Sequence, residues 1–154
     1  MYLASVILLL AVCPAASIAV EWFAGGHSGG LMPLVGKWFV FWAVGVRLFI
    51  AGLRQAIQPS FTAETIFGVK EIAAHAIVRE VGFGNLSMGT LGIATLAIPV
   101  WISPAAIVGG LYYGLAAALH VAHRERNAHE QIALISDAGV FVVLAAAAIA
   151  SLKG

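Results

Sequence analysis

The feature that most constrains this chain is a pair of arginines, Arg47 and Arg54, inside the apolar stretch 34–57. A charged side chain at the centre of a membrane helix costs about 2.5–3.5 kcal/mol on insertion scales, so such a residue rarely stands without a partner. The two arginines are seven residues apart, which is nearly two turns of an α-helix, so both point to the same side. The sequence therefore predicts a polar interior beside this helix.

Composition places the chain among membrane proteins. Of its 154 residues, 62% are hydrophobic and only 10% are charged, whereas soluble domains carry about 25% charged residues. The mean hydropathy is +1.00. The basic residues are few and scattered, which argues against nucleic-acid binding. We predict a single transmembrane helical domain over residues 1–154.

Five apolar stretches approach the roughly 20 residues that a membrane-spanning helix requires. The sequence therefore predicts an all-α, polytopic membrane helical bundle of about five transmembrane helices. The predicted spans are residues 2–23, 34–57, 80–101, 104–122 and 130–151.

The cationic residues predict an orientation with the N-terminus inside and the C-terminus outside. With a cytoplasmic N-terminus, five cationic residues lie on or near the inner side and two lie outside, as the positive-inside rule favours. The inner set is Arg54, Lys70, Arg79, Arg124 and Arg126, and the outer set is Lys37 and Lys153.

Small residues predict how two of the helices pack. The third span carries Gly82, Asn85, Gly89 and Gly92 on one face, and the fourth carries Ala106, Gly110, Gly114, Ala118 and Ala122. Small residues at this spacing let helix backbones approach closely. We expect these two faces to meet across the short turn at 99–104; a contact between copies of the chain is the alternative use of either face.

Polar residues from separate spans are predicted to converge in the inner half of the bundle. The six are Arg47, Arg54, Glu80, Asn85, His120 and Asp137. Two arginines balance two carboxylates, and a guanidinium can bind a carboxylate through two parallel hydrogen bonds. The sequence therefore predicts that the charges neutralise one another away from lipid.

Several functions remain open for this cluster. It can fix helix registration, or it can bind the headgroup of a lipid or quinone-like molecule among aromatic residues. A proton-coupled transporter or an accessory subunit of a larger complex is the alternative, and a membrane-embedded enzyme is the third. No hydrolase or nucleotide-binding motif occurs. The pair His120 and His123 is too weak a pattern to predict a metal, and no cofactor is predicted.

Four segments resemble a family of small bacterial integral membrane proteins that is grouped as a domain of unknown function. They are residues 37–47, 53–55, 79–89 and 110–120, and the most specific is the run Arg-Glu-x-Gly-Phe-x-Asn-Leu at 79–86. The resemblance implies a helical membrane fold and residence in the bacterial cytoplasmic (inner) membrane. It implies no activity. Membrane lipid, a second copy of the chain and a larger membrane complex are the expected partners.

Overall fold

The structure is a computed structural model that describes residues 2–25, 30–122 and 127–152. It contains five long helices and one short helical turn, Phe61–Ile66. The long helices are α1 (Tyr2–Ala24), α2 (Leu31–Ile57), α3 (Ala74–Ala94), α4 (Pro99–Ala122) and α5 (Ala128–Ser151). No strand occurs in these ranges. The prediction of an all-α fold is confirmed. The cationic residues Arg124, Arg126 and Lys153, used above for orientation, lie outside the described residues.

Four helices, α1, α2, α4 and α5, are long and apolar enough to cross a membrane. The third predicted span differs from its helix, α3, which covers residues 74–94 instead of 80–101. It begins at Ala74, before the predicted start at residue 80, because residues 74–79 are also helical. It ends at Ala94, and the chain is also non-helical at Ile98, before Pro99, where φ is −129° and ψ is 79°; a residue before a proline disfavours the α conformation. Polar residues make α3 less apolar than the other four helices.

The helix α2 lies at the centre of the bundle. Its buried residues Val40, Val44 and Leu48 pack against buried residues of α4 and α5, including Ala105 and Leu144. The outer surface is apolar instead of charged: Leu115 on α4 is 70% exposed and Val142 on α5 is 64% exposed. An apolar exterior around a tightly packed interior is the arrangement that a lipid environment favours.

Hydrogen bonds and an ion pair join α1 to α2 at the end of the bundle near Trp22. The Glu21 carboxylate accepts hydrogen bonds from Lys37 Nζ at 2.7 Å and from Trp38 Nε1 at 2.8 Å. One turn further into the bundle, Trp42 Nε1 donates to Ser17 Oγ at 2.9 Å. The opposite end of the bundle, which holds Tyr2, is called the Tyr2 end below.

Glycines bring α3 against α2 and not against α4, so the predicted packing partner is wrong. Gly82 lies against Gly52, and Gly92 lies against Gly45. A Cβ atom added at Gly89 would stand 2.5 Å from the backbone nitrogen of Phe49. The predicted α4 stripe packs on α5: a Cβ at Gly110 would lie 3.5 Å from Leu144 Cβ. Gly45 and Gly52 of α2 lie at the points where α3 crosses, so both backbones can approach closely there.

The middle of α2 is wider than an α-helix. Residues Val40–Arg47 form a π-helical segment, in which the backbone bonds join residues five apart. A second π-helical segment, Leu8–Val12, interrupts α1. The widened segment of α2 ends at Arg47 and so sets the direction of that side chain.

Candidate functional site

A cavity of about 220 Å³ lies inside the bundle toward the Tyr2 end. All five long helices contribute to its wall, and so does the short turn Phe61–Ile66. The polar groups of the wall include Arg47, Arg54, Gln55, Asn85, Tyr112 and Asp137. A site for one water molecule needs about 10–15 Å³ by this kind of measure, so the cavity has room for several waters or a small polar group.

The deepest charged pair in the cavity joins α2 to α5. Arg47 Nη1 lies 3.1 Å from Asp137 Oδ1, and Arg47 Nη2 donates to Ser136 Oγ at 3.3 Å. The side chains of Arg47 and Asp137 are only 15% and 10% exposed. The hydroxyl groups of Tyr2 and Tyr113 lie beside the same guanidinium. The structure thus brings together these two of the six predicted residues, and Arg47 is neutralised by Asp137.

Tyr113 ties α4 to the widened part of α2. Its hydroxyl donates to the backbone carbonyl of Ala43 at 2.6 Å, and the residue is 1% exposed. We expect Tyr113→Phe to lower the free energy of unfolding by about 1 kcal/mol, because a buried hydrogen bond is lost while the ring remains. SDS titration in mixed micelles measures the change. The matched variant Tyr112→Phe, whose hydroxyl is not bonded to backbone, should lose less; equal losses would contradict this assignment.

Arg54 lies at the mouth of the cavity in a different environment. Its guanidinium carbon stands 3.4 Å from the centroid of the Phe61 ring. Within residues 2–25, 30–122 and 127–152, no carboxylate oxygen lies within 4.0 Å of Arg54. The prediction that both arginines pair with carboxylates therefore does not hold for Arg54. The reason is the turn after α2: Gln58 N donates to Arg54 O at 2.6 Å, and the chain then folds back at Pro59.

Asn85 enters the site and Glu80 does not. Asn85 is 1% exposed, and its Nδ2 donates to Gln55 Oε1 at 2.8 Å across the seam between α2 and α3. Glu80 is exposed on another side of α3, which corrects the prediction that it belongs to the cluster. Five residues turn an α-helix by about 500°, so Glu80 and Asn85 point about 140° apart. Gln55 was missed: it lies eight residues after Arg47, about 80° away around the helix, so spacing alone did not place it with the arginines.

His120 forms a separate buried pair beyond the cavity wall. Its Nδ1 lies 3.2 Å from Glu130 Oε1, and the two residues are 6% and 2% exposed. Its ring stacks on Phe67 with centroids 6.0 Å apart. Glu130 was missed by the sequence analysis, but a signal was present: Asn127 followed three residues later by Glu130 is a helix-capping pattern, and Asn127 Oδ1 accepts from Glu130 N at 2.9 Å.

The described residues contain no group of three or more His, Cys, Asp or Glu side chains arranged to hold a metal ion. His123, half of the weak histidine pair noted above, lies outside those residues.

Together the fold and the cavity define a class: an all-helical bundle with four helices able to span a membrane and a polar cavity in its interior. Comparison with models of known protein families, with curated proteins and with solved structures finds no match. The resemblance to a bacterial family of unknown function therefore stays a prediction, and the function is argued from the cavity.

Proposed function

We propose that this protein is a multi-pass protein of the bacterial cytoplasmic membrane, with its N-terminus inside, that binds the headgroup of a membrane amphiphile. The amphiphile is a lipid or a quinone-like molecule, and its polar part occupies the cavity. The observation that carries the proposal is the cavity itself: hydrogen-bonding groups such as Arg47, Asn85 and Tyr112 surround a space that packing has not filled. Ligand sites typically combine an apolar wall with a few such polar groups.

In this proposal α3 is the fifth span. Its 21 residues extend about 30 Å, which matches the thickness of the hydrocarbon layer. It runs along α2 through the glycine contacts from Gly82 to Gly92. Its most polar interior residue, Asn85, is turned toward Gln55 and away from lipid. A helix whose polar side chain donates a hydrogen bond to a neighbouring helix needs less overall hydropathy to cross.

An apolar groove beside the cavity supports an amphiphile in preference to a fully polar ligand. The groove has a volume of about 440 Å³ and lies between α1 and α5, with Ile7, Leu10, Phe39 and Val143 in its wall. Val6 of α1 lines both the groove and the cavity. A hydrocarbon chain in the groove would therefore begin next to a headgroup in the cavity.

One observation favours a second candidate, proton-coupled transport. The buried pair of His120 and Glu130 lies near enough to Asp137 for an electrostatic interaction between His120 and Asp137. However, the core of α5 beyond Asp137 is Val140 and Leu144, facing Ala106 on α4. In this described part of the interior a proton route would have to pass apolar side chains. Binding from one side of the membrane therefore has more support than passage across it.

Filling the cavity tests the proposal. Ala51 lines the cavity, and Ala51→Phe is expected to remove an amphiphile that co-purifies with the wild-type protein after gentle extraction. A steric cost of about 1–3 kcal/mol, as in overpacked cores, corresponds to a loss of affinity of roughly 5-fold to 150-fold. Mass spectrometry of the extracted protein measures the bound molecule.

The control is Ala118→Phe, which adds the same ring at an exposed position of α4 outside the cavity wall. It should retain the ligand. A wild-type protein that carries no amphiphile, or an Ala51→Phe variant that keeps it at full occupancy, would count against the proposed function.

A further inference from the structure

The two guanidinium groups of the cavity differ in what they can offer a ligand. Arg47 is engaged by Asp137 and Ser136, at 3.1 and 3.3 Å. Its charge is cancelled within the protein. Arg54 has no carboxylate partner among the described residues, so its positive charge is uncompensated there.

The contact with Phe61 holds Arg54 in place without consuming its hydrogen-bond donors. The guanidinium carbon lies 3.4 Å above the ring centroid, so the attraction acts through the face of the cation. The N–H groups point outward in the plane of the guanidinium, where they can bind two oxygens of a carboxylate or phosphate. Arg54 is therefore positioned as an anion receptor at the mouth of the cavity.

The net charge of the cavity supports the same ligand chemistry. Among the described residues, the arginines and carboxylates in its wall are Arg47, Arg54 and Asp137, which leaves one positive charge in excess. Gln55, which follows Arg54 in the chain, accepts a neutral hydrogen bond from Asn85 and adds no charge. A single negative charge on the ligand would balance the site, and Arg54, an exposed residue, is accessible to it.

We infer that the ligand is an anionic amphiphile whose phosphate or carboxylate group binds Arg54 while the rest of its headgroup enters the cavity. The inference rests on the proposed function and narrows it to an anion. The apolar groove between α1 and α5 offers the hydrocarbon part a place outside the cavity. A neutral quinone ring would leave the charge of Arg54 uncompensated.

The test compares anionic probes with uncharged ones on the full-length protein in detergent. Phosphatidylglycerol is paired with diacylglycerol, and oleic acid is paired with methyl oleate; native mass spectrometry measures the bound fraction of each. We expect the wild-type protein to bind at least one anionic probe at least tenfold more tightly than its uncharged partner. Preference for phosphatidylglycerol identifies a phosphate ligand, and preference for oleic acid identifies a carboxylate ligand.

Variants test whether the preference for anionic probes depends on Arg54. Arg54→Gln should abolish it, and Arg79→Gln should keep it, because Arg79 is an exposed arginine of α3 outside the cavity wall. Phe61→Leu keeps every charge and should weaken anion binding several-fold by releasing the guanidinium; it serves as the second variant if Arg54→Gln does not fold.

The outcomes separate this inference from the proposed function. If charged and uncharged probes bind equally, and Ala51→Phe blocks both, the cavity binds amphiphiles but the anionic ligand is wrong. An anion preference that survives in both Arg54→Gln and Phe61→Leu also overturns the inference. If no probe is displaced by Ala51→Phe, the proposed function fails as well.

Discussion

Replacing Asp137 by leucine should lower the free energy of unfolding by about 3–5 kcal/mol, because Arg47 would keep a buried charge without a partner. The pair is 3.1 Å apart and both side chains are at most 15% exposed, so the guanidinium would lose its counter-charge in a setting largely shielded from bulk water. SDS titration in mixed micelles measures the change. The single variant Arg47→Met should also destabilise, because it isolates the Asp137 carboxylate in the same way.

The double variant Arg47→Met with Asp137→Leu is the control for this result. It removes both charges, so no unpaired ion remains and most of the lost stability should return. If each single variant unfolds as the wild type does, the pair is not buried as the structure places it. If the double variant is the sum of the singles, the two residues do not interact.

A valine at Gly89 should be nearly as damaging, lowering the free energy of unfolding by about 3 kcal/mol. The first added atom would lie 2.5 Å from the Phe49 nitrogen and 2.7 Å from its Cα. These are backbone atoms of α2, which cannot rotate away as a side chain can. The helices would have to separate along the whole glycine seam, and the amide contact between Gln55 and Asn85 would be lost with it.

Gly84→Val provides the matched comparison on the same helix. A Cβ at Gly84 meets no atom within 4 Å, so the substitution changes helix propensity without a clash. Its loss of stability should stay below about 1 kcal/mol, since valine and glycine are both weak helix formers. Similar losses at the two positions, measured by the same titration, would show that α2 and α3 are not in close contact.

The pairing of Arg47 with Asp137 could be predicted because the physics leaves few choices. Buried charges at membrane depth need opposite charges, and the sequence has few to offer. The exclusion of Glu80 was also within reach, since Glu80 and Asn85 are five positions apart and therefore lie on different faces of one helix. The all-helical class followed from composition.

Other features depend on contacts between distant parts of the chain, which residue spacing in the sequence does not reveal. A glycine face suits any helix, so the sequence alone does not decide between α2 and α4 as the partner of α3. The contact of Arg54 with Phe61 depends on the fold-back at Pro59. Glu130 was overlooked because a carboxylate at a helix start ordinarily serves as a cap, and here it also meets His120.

The number of residues in the widened segment Val40–Arg47 of α2 is constrained by the contacts on either side of it. It lies between two ion pairs of α2: Lys37 with Glu21 of α1, and Arg47 with Asp137 of α5. Inserting or deleting one residue between Lys37 and Arg47 would rotate one side chain by about 100° around the helix relative to the other. Insertions and deletions in related sequences should therefore occur in the loop at 67–73 far more often than in the middle of α2.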